Sequence, residues 1–229
     1  MALPGYEWQS YKNSAEKMMS CNLVVYAEDP EFYKFFFKPD TIMDPVGLSC
    51  DQVRKYVTKT GNTNVIGIVD GDFNDSFEHD NLFKIDYYSI ENILLYKHAR
   101  LDSFKNEVIN YVEQNNIKKS RLRISFDGDK YCIKEDTKKI AKNFLDYIKK
   151  KITASEQYVK YMDLKILVQA YQNHFKKYKK YYYSTLHTQV ELKDIFSKNE
   201  LDRLNSKIEE LKNVDLINGS IDYNGNPNC

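Results

Sequence analysis

The chain has 229 residues, 42% hydrophobic and 29% charged, enough apolar material for a packed core and too much for global disorder. Its formal net charge of +1 points to no partner by itself. No apolar run approaches the roughly 20 residues that span a bilayer, and the opening MALPGYEWQSYKNS lacks a basic start followed by an apolar stretch, so a cytoplasmic protein without membrane contact is expected.

In chain order, residues 22–27 (NLVVYA) form an apolar run that suits a fully buried strand, with Glu28 immediately after it. Asp29-Pro30 then opens EFYKFFFK, a helix with Pro30 in its first turn. Residues 41–46 can hold a short second strand. Ser49 and Gln52 are spaced as a capping box ahead of a helix, DQVRKYVTK, that ends near Gly61. Residues 64–69 read as another buried strand, residues 74–80 as an acidic loop, and LFKIDYYS as a further strand. Ser89 leads into the helix IENILLYKHA, with Glu91 in its first turn. This alternation predicts an α/β fold with a mostly parallel sheet covered by helices.

Beyond Arg100 the pattern changes. LDSFKNEVINYVEQN is an amphipathic helix, and RLRISFDGDKYCIK is a hairpin over about 121–134 that turns at Asp127-Gly128. Helices are expected near 136–151, 155–183 and 198–212, the last capped by Ser197 with Glu200. The tail NGSIDYNGNPNC is expected to fray. The division is thus a core over 1–100 and a mainly helical region with a hairpin over 101–229. Acids outnumber bases by about two to one over residues 28–91, and lysines outnumber acids by about three to one over residues 145–190. That split fits a metal-binding half and a phosphate-binding half, or two differently solvated faces. Cys21, Cys50, Cys132 and Cys229 have no C-x-x-C spacing, which argues against structural zinc and fits reduced thiols.

Ligands of parallel sheets bind beyond the carboxyl ends of the strands. Glu28 ends one predicted strand there, and Asp70 and Asp72 end another. An extended backbone aims Asp70 and Asp72 to the same side, and Gly71 between them leaves room for a ligand to approach. Convergent carboxylates repel, and an oxygen-bound divalent cation, Mg²⁺ or Mn²⁺, relieves that repulsion. The plainer alternative is a set of solvated loop acids.

VVYAED, then IVDGDF, then IDYYSIENIL resemble the Toprim-like domain, with a glutamate after the first strand, an Asp-x-Asp after a later one and a glutamate downstream. The IDYYSIENIL stretch is similar to bacterial Toprim-like proteins related to OLD-family nucleases, among them the nuclease effector of the PARIS anti-phage system. The resemblance covers roughly residues 20–100. It implies a Mg²⁺-dependent nuclease acting on RNA (tRNA included) or DNA in anti-phage defence. Glu28 would be a metal ligand or general base, Asp70 and Asp72 metal ligands, and Glu91 a ligand of a second ion. It also implies an ABC-type ATPase partner and leaves self-assembly open. The chain departs from the family at Glu28-Asp29-Pro30-Glu31, where a glycine and a later aspartate are usual. Either Asp29 or Glu31 replaces the missing ligand, or the site is degenerate and the chain only binds nucleic acid or the ATPase.

Other residues carry weaker signals. Asp75, Glu78, His79 and Asp80 could extend a metal site but read more simply as a solvated loop. Asp127 and Asp129 belong to the hairpin turn. HFKKYKKYYY interleaves Lys176, Lys177, Lys179 and Lys180 with tyrosines, which suits single-stranded nucleic acid or RNA loops as well as it suits a basic helix face. Lys165 could face the scissile phosphate, but a helix-surface lysine is the simpler reading. His98, His174 and His187 have no partner spacing and predict no imidazole site.

Overall fold

The computed structural model describes residues 23–37, 42–44, 47–59, 64–73, 78–115, 117, 119–136, 143–175 and 185–218. Within them the chain runs β1 (Val24–Ala27), α1 (Pro30–Tyr33), β2 (Ile42–Met43), α2 (Cys50–Lys59), β3 (Val65–Val69), β4 (Leu82–Lys84) and α3 (Ile90–Lys97). After a 3₁₀ turn at Ala99–Leu101 come α4 (Asp102–Gln114), the ribbon β5 (Leu122–Asp127) and β6 (Lys130–Glu135), and the helices α5 (Phe144–Lys151), α6 (Ser155–Tyr161), α7 (Lys165–His174), α8 (Leu192–Ile195) and α9 (Lys198–Asn218).

The sheet order is β2-β1-β3-β4 and every pairing is parallel, as the alternating sequence predicts. Both central strands, VVYA and VIGIV, are buried along their whole length because helices cover both faces. On one face Val24, Tyr26, Val65, Val69 and Leu82 pack with Val53 and Val57 of α2. On the other, Val25, Ala27, Ile66, Ile68 and Phe83 join a larger core that runs on through Ile93, Leu94, Phe104, Leu122, Phe144, Leu167 and Leu204. That core crosses residue 100, so the residues on either side share one hydrophobic interior.

Several local expectations hold. Ser49 and Gln52 form the reciprocal capping box, with the Ser49 N–H donating to Gln52 Oε1 at 2.8 Å and the Gln52 N–H to Ser49 Oγ at 3.4 Å. Gly128 takes a left-handed φ of 58° at the ribbon turn. The Glu200 N–H donates to Ser197 Oγ at 3.3 Å. The Glu200 carboxylate does not close that cap. Instead it accepts from the Lys84 N–H at 2.8 Å, so α9 satisfies an edge group of β4.

Other expectations need correction. EFYKFFFK gives only the four-residue α1 before it breaks into turns. LFKIDYYS is a strand only over Leu82–Lys84. Its second half runs beside residues 69–72 through irregular backbone bonds, with Ile85 N–H to Val69 O and Gly71 N–H to Tyr87 O. Over its described residues, 155–175, the helix expected over 155–183 is two helices, α6 and α7, broken at Met162–Leu164. Asn92 explains the break: its buried Nδ2 donates to Val159 O at 2.6 Å and Met162 O at 2.8 Å, stapling the end of α6 to α3. Residues 137–142, part of the helix expected over 136–151, lie outside the described residues, as does the tail beyond 218.

Candidate carboxylate site at the rim of the parallel sheet

Register builds the site. β1 and β3 pair in parallel with Ala27 opposite Ile68, so both chains leave the sheet at the same rim. Glu28 is the first residue beyond β1 and Asp70 the first beyond β3. The Asp70 N–H donates to Glu28 Oε1 at 3.0 Å, which ties the two strand ends together. Asp72 follows on a left-handed turn with φ 38°. An extended backbone therefore does not aim Asp70 and Asp72 alike. The turn leaves Asp70 only 5% exposed, while Asp72 stays at the surface edge. Gly71 has a different role from the expected one. A Cβ there would lie 2.1 Å from Tyr87 O, so the glycine admits the neighbouring backbone, not a ligand.

Lys165, the first residue of α7, enters among these acids. Its Nζ lies 2.6 Å from Asp70 Oδ2 and 4.0 Å from Asp72 Oδ1. The simpler sequence reading, a helix-surface lysine, is therefore wrong for Lys165. One turn along the same helix, Gln169 Nε2 donates to Glu91 Oε1 at 2.8 Å. Glu91 is buried at the start of α3, which is not the setting of a solvated first-turn acid. One face of α7 thus engages both strand-end and helix-end acids, and the Asn92 staple fixes the point from which that helix starts.

The electrostatics are crowded. Burial raises the Asp70 pKa well above the usual carboxylate range; Lys165 opposes this and Glu28 reinforces it. Burial also raises Glu28, against the Asp70 N–H and Lys165, and raises Asp72, against Lys165. For Lys165 burial disfavours the ammonium, but Asp70, Asp72 and Glu28 outweigh it, and its pKa rises. The fully buried Tyr33 lies beneath the cluster; burial and then the charge of Asp70 raise its phenol. Cys50, at the start of α2, is pushed up to about 11 by burial and by Glu28, so it is not an activated thiol.

Two aspartates on one ammonium, with Glu28 tied to the Asp70 backbone, offer oxygen donors of the kind a hard divalent cation takes. Among the described residues, however, no group of three acidic, histidine or cysteine side chains is drawn together as a ready-made metal cage. Lys165 answers the carboxylate charge directly at Asp70 and Asp72.

The remaining candidates separate from the site. Lys176, Lys177, Lys179, Lys180 and Asp75 lie outside the described residues. Glu78, His79 and Asp80 line a cavity of about 460 Å³ beside Gly71, together with Lys84 and Arg203. Arg203 there is committed to Glu200 and to the carbonyls of His79, Asp80 and Leu82, so the cavity is a seam between α9 and the β4 edge. His98 bonds Thr185 at 3.0 Å, His174 stacks on Phe126 and His187 stacks on Phe35. Among the described residues no helix is long and apolar enough to cross a membrane. Comparison of the chain with known protein families, with curated proteins and with solved structures finds no match.

Proposed function

We propose that the chain is a Toprim-like nuclease that uses Mg²⁺ or Mn²⁺ to hydrolyse phosphodiester bonds in RNA, tRNA included, or in DNA, as the effector of a bacterial anti-phage system. The observation that carries this reading is the meeting of Glu28, Asp70, Asp72 and Lys165 at the carboxyl rim of an all-parallel sheet. Three anions sharing one cation at a sheet rim is an arrangement that stability alone does not call for.

The ion would be held by Glu28, Asp70 and Asp72, sharing the two aspartates with Lys165, and would supply a charge for the phosphate and an activated water. The chain's own groups do the rest. The Glu28 side chain, anchored on the Asp70 N–H, keeps one carboxylate oxygen at the rim as a ligand or a base. The Lys165 ammonium is placed to neutralise charge developing on a phosphate bound against the rim. A cytoplasmic setting and an ABC-type ATPase partner belong to the same proposal; assembly of several copies is left open.

A second reading has its own support. Lys165 already compensates the buried Asp70, and the loop after Glu28 lacks the family's glycine. Both fit a degenerate module that binds nucleic acid or an ATPase without cutting. One experiment separates the two: incubate purified protein with labelled tRNA, single-stranded RNA and DNA in Mn²⁺, alongside Asp70→Asn and Glu28→Gln. Metal-dependent cleavage lost in both variants supports the nuclease. Binding without cleavage in the wild type supports the degenerate module.

A further inference from the structure

The β5–β6 ribbon presents one face to the core and one to solvent. Leu122, Ile124, Phe126, Tyr131 and Ile133 alternate inward, while Arg123, Ser125 and Asp127 on β5 and Lys130, Cys132 and Lys134 on β6 stand outward and exposed. The register sets these outward residues in rows. Arg121 continues the outward side below the strand and is neutralised by Asp163, with its Nη2 at 2.5 Å from Asp163 Oδ2. Asp127 stands opposite Lys130, a row of opposite charges. Arg123 stands opposite Lys134, a row of two cations. Neither of those two side chains forms an ion pair or hydrogen bond with any described residue.

Like charges directly opposite on a two-stranded ribbon destabilise it. This row therefore works against the ribbon, and the next outward row toward the turn, Ser125 with Cys132, brings no charge to offset it. Its position is specific as well. Arg121 forms a parallel bridge to Asp163, two residues before Lys165, and Arg123 follows on the same side about 7 Å along the strand. The row thus lies two residues along β5 from the Arg121–Asp163 bridge, on the ribbon face opposite the one that packs on α7.

We infer that the Arg123–Lys134 row is a contact for the phosphate backbone of a nucleic acid strand. The inference rests on the nuclease reading for its substrate class. Two exposed cations with no internal acid suit successive phosphates, which a polyanion supplies and a neutral ligand does not.

The test measures binding of a fluorescein-labelled oligoribonucleotide, and of its DNA equivalent, by anisotropy across a salt series. It uses full-length Asp70→Asn, to prevent cutting, with and without Arg123→Gln and Lys134→Gln together. Loss of two contacts should lower the slope of log affinity against log salt by about 1.4 for a single strand. The same double substitution should raise the melting temperature of the free protein, because it removes the cross-strand repulsion. An unchanged salt slope overturns the inference, whatever the enzyme does. Equal affinity of the parent protein for polyglutamate also overturns it and marks the face as a site for an acidic protein. If RNA binding depends on the row but the wild type never cuts, the row stands and the catalytic reading falls. If the wild type cuts and the double variant binds and cuts equally well, the catalytic reading stands and the row falls.

Discussion

Asp70 and Asp163 are buried to the same degree, 5% and 4% exposed, and each holds a cation within 2.6 Å. Their surroundings differ. Asp163 is approached by two guanidinium nitrogens of Arg121, with the Tyr88 hydroxyl as a further partner. The bridge at that point joins β5 to the start of α7, so the pair is part of the architecture. Asp86 is arranged in the same way, with Lys160 at 2.6 Å and the Tyr161 hydroxyl at 2.9 Å. Asp70 shares its lysine with Asp72 and lies against Glu28. The lesson is that burial of an aspartate does not mark a site; an excess of clustered anion over cation does. Such an excess is tolerated where a positive species arrives from outside.

The largest test of that contrast removes each cation. Lys165→Met should lower cleavage by about 10²–10³-fold, the loss expected for a preorganised group that stabilises charge in the transition state. It should also lower the melting temperature in metal-free buffer, and Mn²⁺ should restore that temperature, because an ion can take the vacated charge position. Next in size, Arg121→Met strands Asp163 in the interior and should cost about 3 kcal/mol in urea unfolding. Mn²⁺ should give less recovery there, since Asp163 is not tied to a second carboxylate as Asp70 is tied to Glu28 and, through Lys165, to Asp72. Equal metal rescue of both variants would erase the distinction between the two aspartates.

The sequence made the strand ends legible because fully buried parallel strands are uninterrupted apolar runs, and an acid directly after such a run stands out. It did not show that a left-handed turn, not an extended backbone, brings Asp72 to the lysine of Asp70, since such a turn at an aspartate leaves no signature beyond the Asp itself. Lys165 was harder to place, although a signal was present. A lysine in the first turn of a helix sits at the end whose dipole repels cations, so it calls for acids from elsewhere in the fold. The α6–α7 break had no proline or glycine to announce it. It depends on Asn92, some 70 positions earlier in the chain, taking the carbonyls of Val159 and Met162. The core-ward side of the ribbon was readable from alternation, but the row formed by Arg123 and Lys134 needs the register.

The smallest effects are those of pH, and here the contrast has a sign. Burial raises Glu28, Asp70 and Asp72 above their ordinary values of 4.5, 3.8 and 3.8. The native state therefore takes up protons before the unfolded chain does, and these groups add stability as pH falls through their folded values toward the ordinary ones. His98 works in the opposite direction. It is 2% exposed, its Nδ1 accepts from the Arg100 N–H at 3.2 Å, and burial followed by the charge of Arg100 lowers its pKa below 6.5. Its contribution is complete above pH 6.5 and is lost as pH falls through its folded value. Melting temperatures measured from neutral to mildly acidic pH should separate the two. Asp70→Asn should lose part of the acid-side gain seen in the wild type, while His98→Gln should lose part of the acid-side decline. The carboxylate rim then behaves as a region waiting for positive charge, proton or metal, whereas the His98 anchor on Thr185 behaves as one that positive charge undoes. A wild-type rim whose stability falls with acid in step with Asp70→Asn would show that Lys165 alone balances it, and the case for an external cation would be lost.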